Sequence, residues 1–223
     1  FLQNYDEMLK FAVRTSNQYT KKNQEITFLI GSFVSSLLID RICDTDLINQ
    51  YNLNLYENTI SDIDLAFAGN EAHLAIFCLD ETQLLAFQKK SLNYADYMEL
   101  IELFDDEIMF CMSKDNPLNH KADCSPRNAK LLIEFPTTYY NYFNNISSCF
   151  STVRLSNISS HIKLMKENDA ICFTTRRLYR HLYPDPDLVV QEFSPPIYVK
   201  FYLARNKNLL SNEIFTLTET IKQ

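Results

Sequence analysis

Two consecutive α/β lobes with a cleft between them are the architecture this chain predicts. Three observations carry it: short apolar runs alternate with amphipathic ones from residue 26, the alternation restarts at residue 130, and the last strand and helix return toward the first lobe. In the first lobe "ITFLIG" (26–31) reads as a buried strand and "SSLLIDRICDTDLINQ" (35–50) as an amphipathic helix. "YNLNLYEN" (51–58) is an alternating strand, "ISDIDLAFAGN" (60–70) a short helix and "AHLAIFCL" (72–79) another strand. Strand, helix, strand, helix, strand is the pattern of right-handed crossovers that build a parallel sheet.

After a helical or looped stretch (82–97), "YMELIELFDDEIMFCMSKDNPLNH" predicts two strands broken near Asp105 and Asp106. The second lobe then follows: strand 130–135, helix 137–146, strand 151–156, helix 158–168 and strand 170–175. A strand at 197–206 and a helix at 209–223 close the chain. Ahead of both lobes, residues 1–22 lack Gly and Pro and place Leu2, Tyr5, Leu9, Ala12, Ser16 and Tyr19 at spacings of three and four, a stripe suited to pairing with a second helix.

The 223 residues are 46% hydrophobic and carry a net charge of −7, so a real core is available and a basic face for nucleic acid is not. With only two glycines, both nucleotide-cradling glycine motifs are excluded. Six cysteines, Cys43, Cys78, Cys111, Cys124, Cys149 and Cys172, stand singly without a C-x-x-C pair, which reads as buried reduced thiols in a cytoplasmic protein. No apolar run is long enough for a membrane span, and the two N-x-S sequons at Asn145 and Asn157 read as chance.

Catalytic patterns are equally sparse. The four histidines, His73, His120, His161 and His181, form no metal-ligand spacing, and Ser160 to Lys163 matches S-x-x-K without its companion motifs. Neither a metal, a cofactor nor an enzymatic activity is expected. Asp105, Asp106 and Glu107 read as a solvated turn, and Arg176, Arg177, Arg180 and His181 as a solvated helix face with anion contact as the alternative.

What recurs is hydroxyl and amide side chains just beyond the strand ends. Ser32, Ser35 and Ser36 follow "TFLIG", Thr137 and Thr138 follow "LIEFP", Ser156 and Asn157 follow "TVRL", and Thr174 and Thr175 follow "AICF". Ligands of open α/β sheets bind there, where helix amides and cap side chains hold an anion. The alternative is that each is an ordinary N-cap. The predicted effector set is Ser32, Phe33, Ser35, Ser36, Cys78, Thr137, Thr138, Ser156, Asn157 and Thr174. Gly31 is read as leaving room for a ligand beside the backbone, or as permitting tight strand-to-helix packing. Gly69 is read as the left-handed residue ending its helix.

In order and spacing these stretches resemble LysR-type transcriptional regulators. "YDEMLKFA" resembles the linker helix, "ITFLIGSFVSSLL" the first strand and helix, and "YNLNLYENTISDIDLAFAGNEAHLAIF" the segment that follows. "LFDDEIMFCMSKDNPLNH" and "MKENDAICFTTRR" resemble two later segments. His73-Leu74 departs from the family's usual Leu-Asp, and Asn168 and Ala170 replace usual glycines. The resemblance implies two Rossmann-like lobes of type-2 periplasmic-binding-protein kind preceded by a linker helix. Residues 1–24 would be that helix, 25–104 with 198–223 lobe one, and 105–197 lobe two. It also implies a small-molecule effector in the cleft and DNA contact through a winged helix-turn-helix ahead of Phe1. A homodimer through 1–22 and 60–69, or a tetramer at full length, is expected because closed symmetric assembly is the common outcome. An extracytoplasmic solute-binding protein of a transporter shares the fold and is the alternative; a transferase or dehydratase of similar lobes is a further one.

Overall fold

The apolar runs of both lobes meet in one eight-stranded sheet. The computed structural model describes residues 25–31, 34, 51–90, 94–121, 128–134, 151–155, 158–183 and 185–222. The predicted helices at 1–22, 35–50 and 137–146 lie outside the described residues. The elements run β1 (Glu25–Gly31), β2 (Asn52–Asn58), α1 (Ile60–Ala68), β3 (Leu74–Leu79), α2 (Glu81–Lys90), the single turn α3 (Tyr94–Tyr97) and β4 (Met98–Ser113). Then come β5 (Leu131–Glu134), β6 (Ser151–Arg154), α4 (Ile158–Glu167), β7 (Ala170–Thr175), α5 (Arg176–Leu182), β8 (Leu188–Asn206) and α6 (Asn212–Lys222).

The sheet order is β2-β1-β3-β8-β4-β7-β5-β6. β1 is parallel to β2 and β3, and β5 is parallel to β6 and β7. β8 runs antiparallel to β3, and β4 antiparallel to β7. Each half therefore repeats one order, second strand, first, third, then a long returning strand from the other half. β3 and β7 are buried at every residue, as "LAIFCL" and "AICFTT" require of parallel strands covered on both faces.

Two asparagines pin equivalent corners. Asn206, fully buried at the end of β8, donates from Nδ2 to Phe67 O (3.1 Å) and Ala72 O (3.0 Å) and accepts the Asn208 amide (2.9 Å). Asn116, just past β4, accepts the Leu118 amide (2.9 Å) and points Nδ2 at Ala170 O (3.4 Å). Each thereby ties the exit of a long strand to the entry of a buried one.

Four expectations need correction. Residues 98–113 form one strand, not two, with its register shifting between Glu102 and Phe104 and between Ile108 and Met109. The last strand starts at Leu188 rather than 197: Met109 pairs with Glu192 while Ile108 pairs with Ile197, so Phe193 to Pro196 bulge out. That stretch includes Pro195 and Pro196, which have no amide to donate to a ladder, so a bulge accommodates them inside a strand.

The acidic run is not a turn either. Mid-strand, Asp105 faces Lys200 (3.7 Å), Glu107 pairs with Arg176 (2.6 Å), and Asp106 is buried, accepting the amides of Glu107 (2.9 Å) and Arg177 (3.0 Å). Satisfying each carboxylate separately lets three acids continue a strand. Finally, Gly69 is right-handed (φ −80°), and the left-handed residue is Asn70 (φ 58°), a role asparagine tolerates better than most. α1 starts with a reciprocal box in which Thr59 Oγ1 accepts the Asp62 amide (3.2 Å) and Asp62 accepts the Thr59 amide (3.3 Å).

Candidate ligand site at the strand ends

The carboxyl ends of β3 and β7 each run directly into a helix. At β7, Thr175 Oγ1 accepts the Leu178 amide (3.4 Å), capping α5, while Asp106 from β4 occupies the Arg177 amide. A carboxylate of the chain itself thus sits at that helix start, where an anion is favoured. At β3, Asp80 Oδ1 accepts the Gln83 amide (2.7 Å) and Gln83 Oε1 accepts the Asp80 amide (3.0 Å), a reciprocal box opening α2. Asp80 is 5% exposed, and its Oδ2 has no hydrogen-bond partner among the described residues.

Gly31 ends β1 beside Phe77, three residues before Asp80 along the neighbouring strand. A Cβ there would meet Phe77 Cβ at 3.4 Å and Ile76 O at 3.6 Å, ordinary contact with the neighbouring strand. Among the described residues the close neighbour is thus β3.

The basic group after β7 is engaged. Arg176 is held by Glu107 (2.6 Å) and Glu192 (2.5 Å), and the two carboxylates raise its pKa; the Arg177 guanidinium lies 4.1 Å over the Phe104 ring. Arg176 thus has its charge matched within the chain, whereas Arg177 and Arg180 are exposed, in line with the solvated-face reading.

Comparison with solved structures places this geometry. The regulatory domain of reduced OxyR from Pseudomonas aeruginosa superposes with a TM-score of 0.68 at 15% identity, over 89% of this chain and 97% of that one. The effector-binding domain of a BenM variant superposes at 0.65, also 15% identical, over 89% and 93%. This is the fold of LysR-type regulatory domains. A full-length BenM mutant matches 99% of this chain and 72% of its own length, with a TM-score of 0.65 and 16% identity. No family model matches the chain, and no curated protein matches it.

Against the LysR-type regulatory fold, two predicted effector residues can be placed. Cys78 is buried in β3, opposite Phe201 of β8. Thr174 is fully buried in β7, its hydroxyl directed to Thr175 O (3.4 Å). Ser32, Phe33, Ser35, Ser36, Thr137, Thr138, Ser156 and Asn157 lie outside the described residues. Asp80 went unnoticed in the sequence, although "DETQ" directly after an apolar strand is a capping-box signature.

A buried polar relay lies behind β7. His161 Nε2 is 2.9 Å from Leu155 O, which can only accept, so Nε2 carries the proton and Nδ1 accepts from Tyr183 Oη (3.0 Å). Cys172 Sγ stands 3.3 Å from the same hydroxyl. Burial lowers the His161 pKa and pushes the Cys172 thiol up to about 12, so the group is neutral. Cys111 sits opposite Cys172 in the ladder and its pKa is likewise raised by burial. Thiols so protonated are poor nucleophiles.

Proposed function

We propose that this chain is the effector-sensing regulatory domain of a bacterial LysR-type transcription regulator, a cytoplasmic homodimer whose DNA contacts reside in a separate winged helix-turn-helix. The observation that carries this reading is the repeated half-sheet joined by two long exchanged strands, in the fold of the OxyR and BenM domains. β4 and β8 cross between the halves, so a ligand favouring one relative placement of the lobes changes both at once. Only a difference in affinity between two placements produces a response. Lobe one would comprise 25–104 with 198–223 and lobe two 105–197, with the strand-end residues Ser32, Ser35, Thr137, Thr138 and Asn157 facing the effector and the buried Thr174 behind them. On α1, Leu65 is 71% exposed, which suits a helix that meets a second copy.

A thermal-shift screen of small metabolites, followed by titration of Ser35→Ala and Thr138→Ala, tests the reading, because binding to the native state raises stability by mass action. The expected result is a saturable rise in Tm that both substitutions weaken. Absence of any binder, or an upstream reading frame encoding a signal peptide instead of a helix-turn-helix, overturns it.

A further inference from the structure

We infer that the ligand recognised by this domain carries a protonated amine, and that Asp80 Oδ2 is its acceptor; the inference rests on the regulatory-domain reading above. Asp80 stands one residue beyond β3, immediately before the ten-residue helix α2. Three of its four polar groups are matched: its amide donates to Gln83 Oε1, its carbonyl accepts the Leu84 amide (2.9 Å) and Oδ1 accepts the Gln83 amide. Oδ2 is buried without a partner among the described residues. Capping α2 needs one oxygen, and a serine, threonine or asparagine would cap it without burying a second. A carboxylate in that place carries a desolvation cost that capping does not require.

Among the described residues no cation is directed to this oxygen. Lys200, which pairs in register with Leu79 immediately before Asp80, is held by Glu102 (2.8 Å) and Asp105 (3.7 Å). The position is the carboxyl end of β3, a strand parallel to β1, and open α/β sheets receive ligands at such ends. A buried acceptor with no donor at such an end selects a donor from outside, and an ammonium matches its charge as well as its lone pair. An anionic group on the same ligand remains compatible with the strand-end hydroxyls, so amino acids and polyamine-like molecules form the class.

The probes are lysine, ornithine, agmatine and putrescine, set against hexanoate and glutarate, which lack the amine. Calorimetric titration and thermal shift are run on the wild-type protein, Asp80→Asn and Asp80→Ser. Both variants keep an oxygen for the Gln83 amide, so both fold. The expected result is saturable binding of at least one amine and none of the amine-free acids. Affinity should fall at least tenfold in both variants, while their unliganded Tm stays level or rises by roughly 2–4 °C. If a carboxylate without an amine binds and Asp80→Asn leaves its affinity alone, the amine inference fails and the regulatory reading stands. Failure of every metabolite, amines included, in the screen above would overturn both. A fall in unliganded Tm in both variants, with unchanged amine binding, would show Oδ2 to be structural and likewise overturn the inference.

Discussion

Where β7 ends, Thr175 turns the chain into α5 with one hydroxyl oxygen, and that oxygen is used; where β3 ends, Asp80 turns it into α2 with two, and one is left over. The halves share strand order and asparagine pins, so they differ mainly in what occupies the helix start. In the second half Asp106 from the crossing strand fills it, and in the first an aspartate is itself the cap. Equivalent topology therefore leaves one end internally satisfied and the other still short of a donor. A fold repeated within one chain can assign scaffold work to one copy and recognition to the other.

Substitutions at matched positions break or sharpen this contrast. The largest effect is expected for Asn206→Ala, which strands the Ala72 carbonyl and the Asn208 amide and removes one donor from the Phe67 carbonyl, at a cost of about 3 kcal/mol in chemical denaturation. Asn116→Ala, whose single carbonyl contact is long, should cost about half as much. Equal costs would mean that the two pins are more alike than their geometry indicates. Asp106→Ala should follow at about 2 kcal/mol, since it frees the amides of Glu107 and Arg177, whereas Asp80→Asn costs nothing.

Acid should weaken the fold through its histidines. Burial lowers the pKa of both His73 and His161 below the ordinary value of 6.5, so the unfolded chain binds those protons more readily than the folded one. Stability is therefore full above about pH 6.5 and declines as pH falls through 6.5 toward the folded values, by at most about 1.4 kcal/mol per pH unit for each proton. His73 Nδ1 accepts the Thr27 amide (3.2 Å) in the first half, and His161 Nδ1 accepts from Tyr183 in the second. Tm measured from pH 7.5 to 5 should fall in the wild type and more shallowly in His161→Gln; parallel curves would contradict the assigned neutral state.

The smallest effect belongs to Gly31→Ala. No positive φ is present at either glycine, and the added methyl would touch Phe77 at ordinary distance, so the change should stay within about 1 kcal/mol by thermal denaturation. A larger loss would restore the idea that this glycine is required by packing.

The alternation of elements was legible in the residues because burial pattern and strand length are local properties. "ITFLIG", "AHLAIFCL" and "AICFTT" became β1, β3 and β7 with boundaries shifted by two residues or fewer. The long strands were not legible. Asp105-Asp106 and Pro195-Pro196 carry turn signals, and only partners distant in the chain, Lys200, Arg176 and the Arg177 amide among them, make those residues tolerable within β4 and β8. The same limit applied to Asp80. Its capping role is written in "DETQ", because a cap depends on residues three apart. Its surplus oxygen depends on what the fold packs around it, and local sequence carries no record of that. By itself, then, the sequence determined two α/β halves, their order and the absence of glycine-rich phosphate loops, all of which follow from short-range pattern and composition. Only the tertiary structure decided that β4 and β8 are continuous crossings and which strand-end acid is left without a donor, since both depend on contacts made across the sheet.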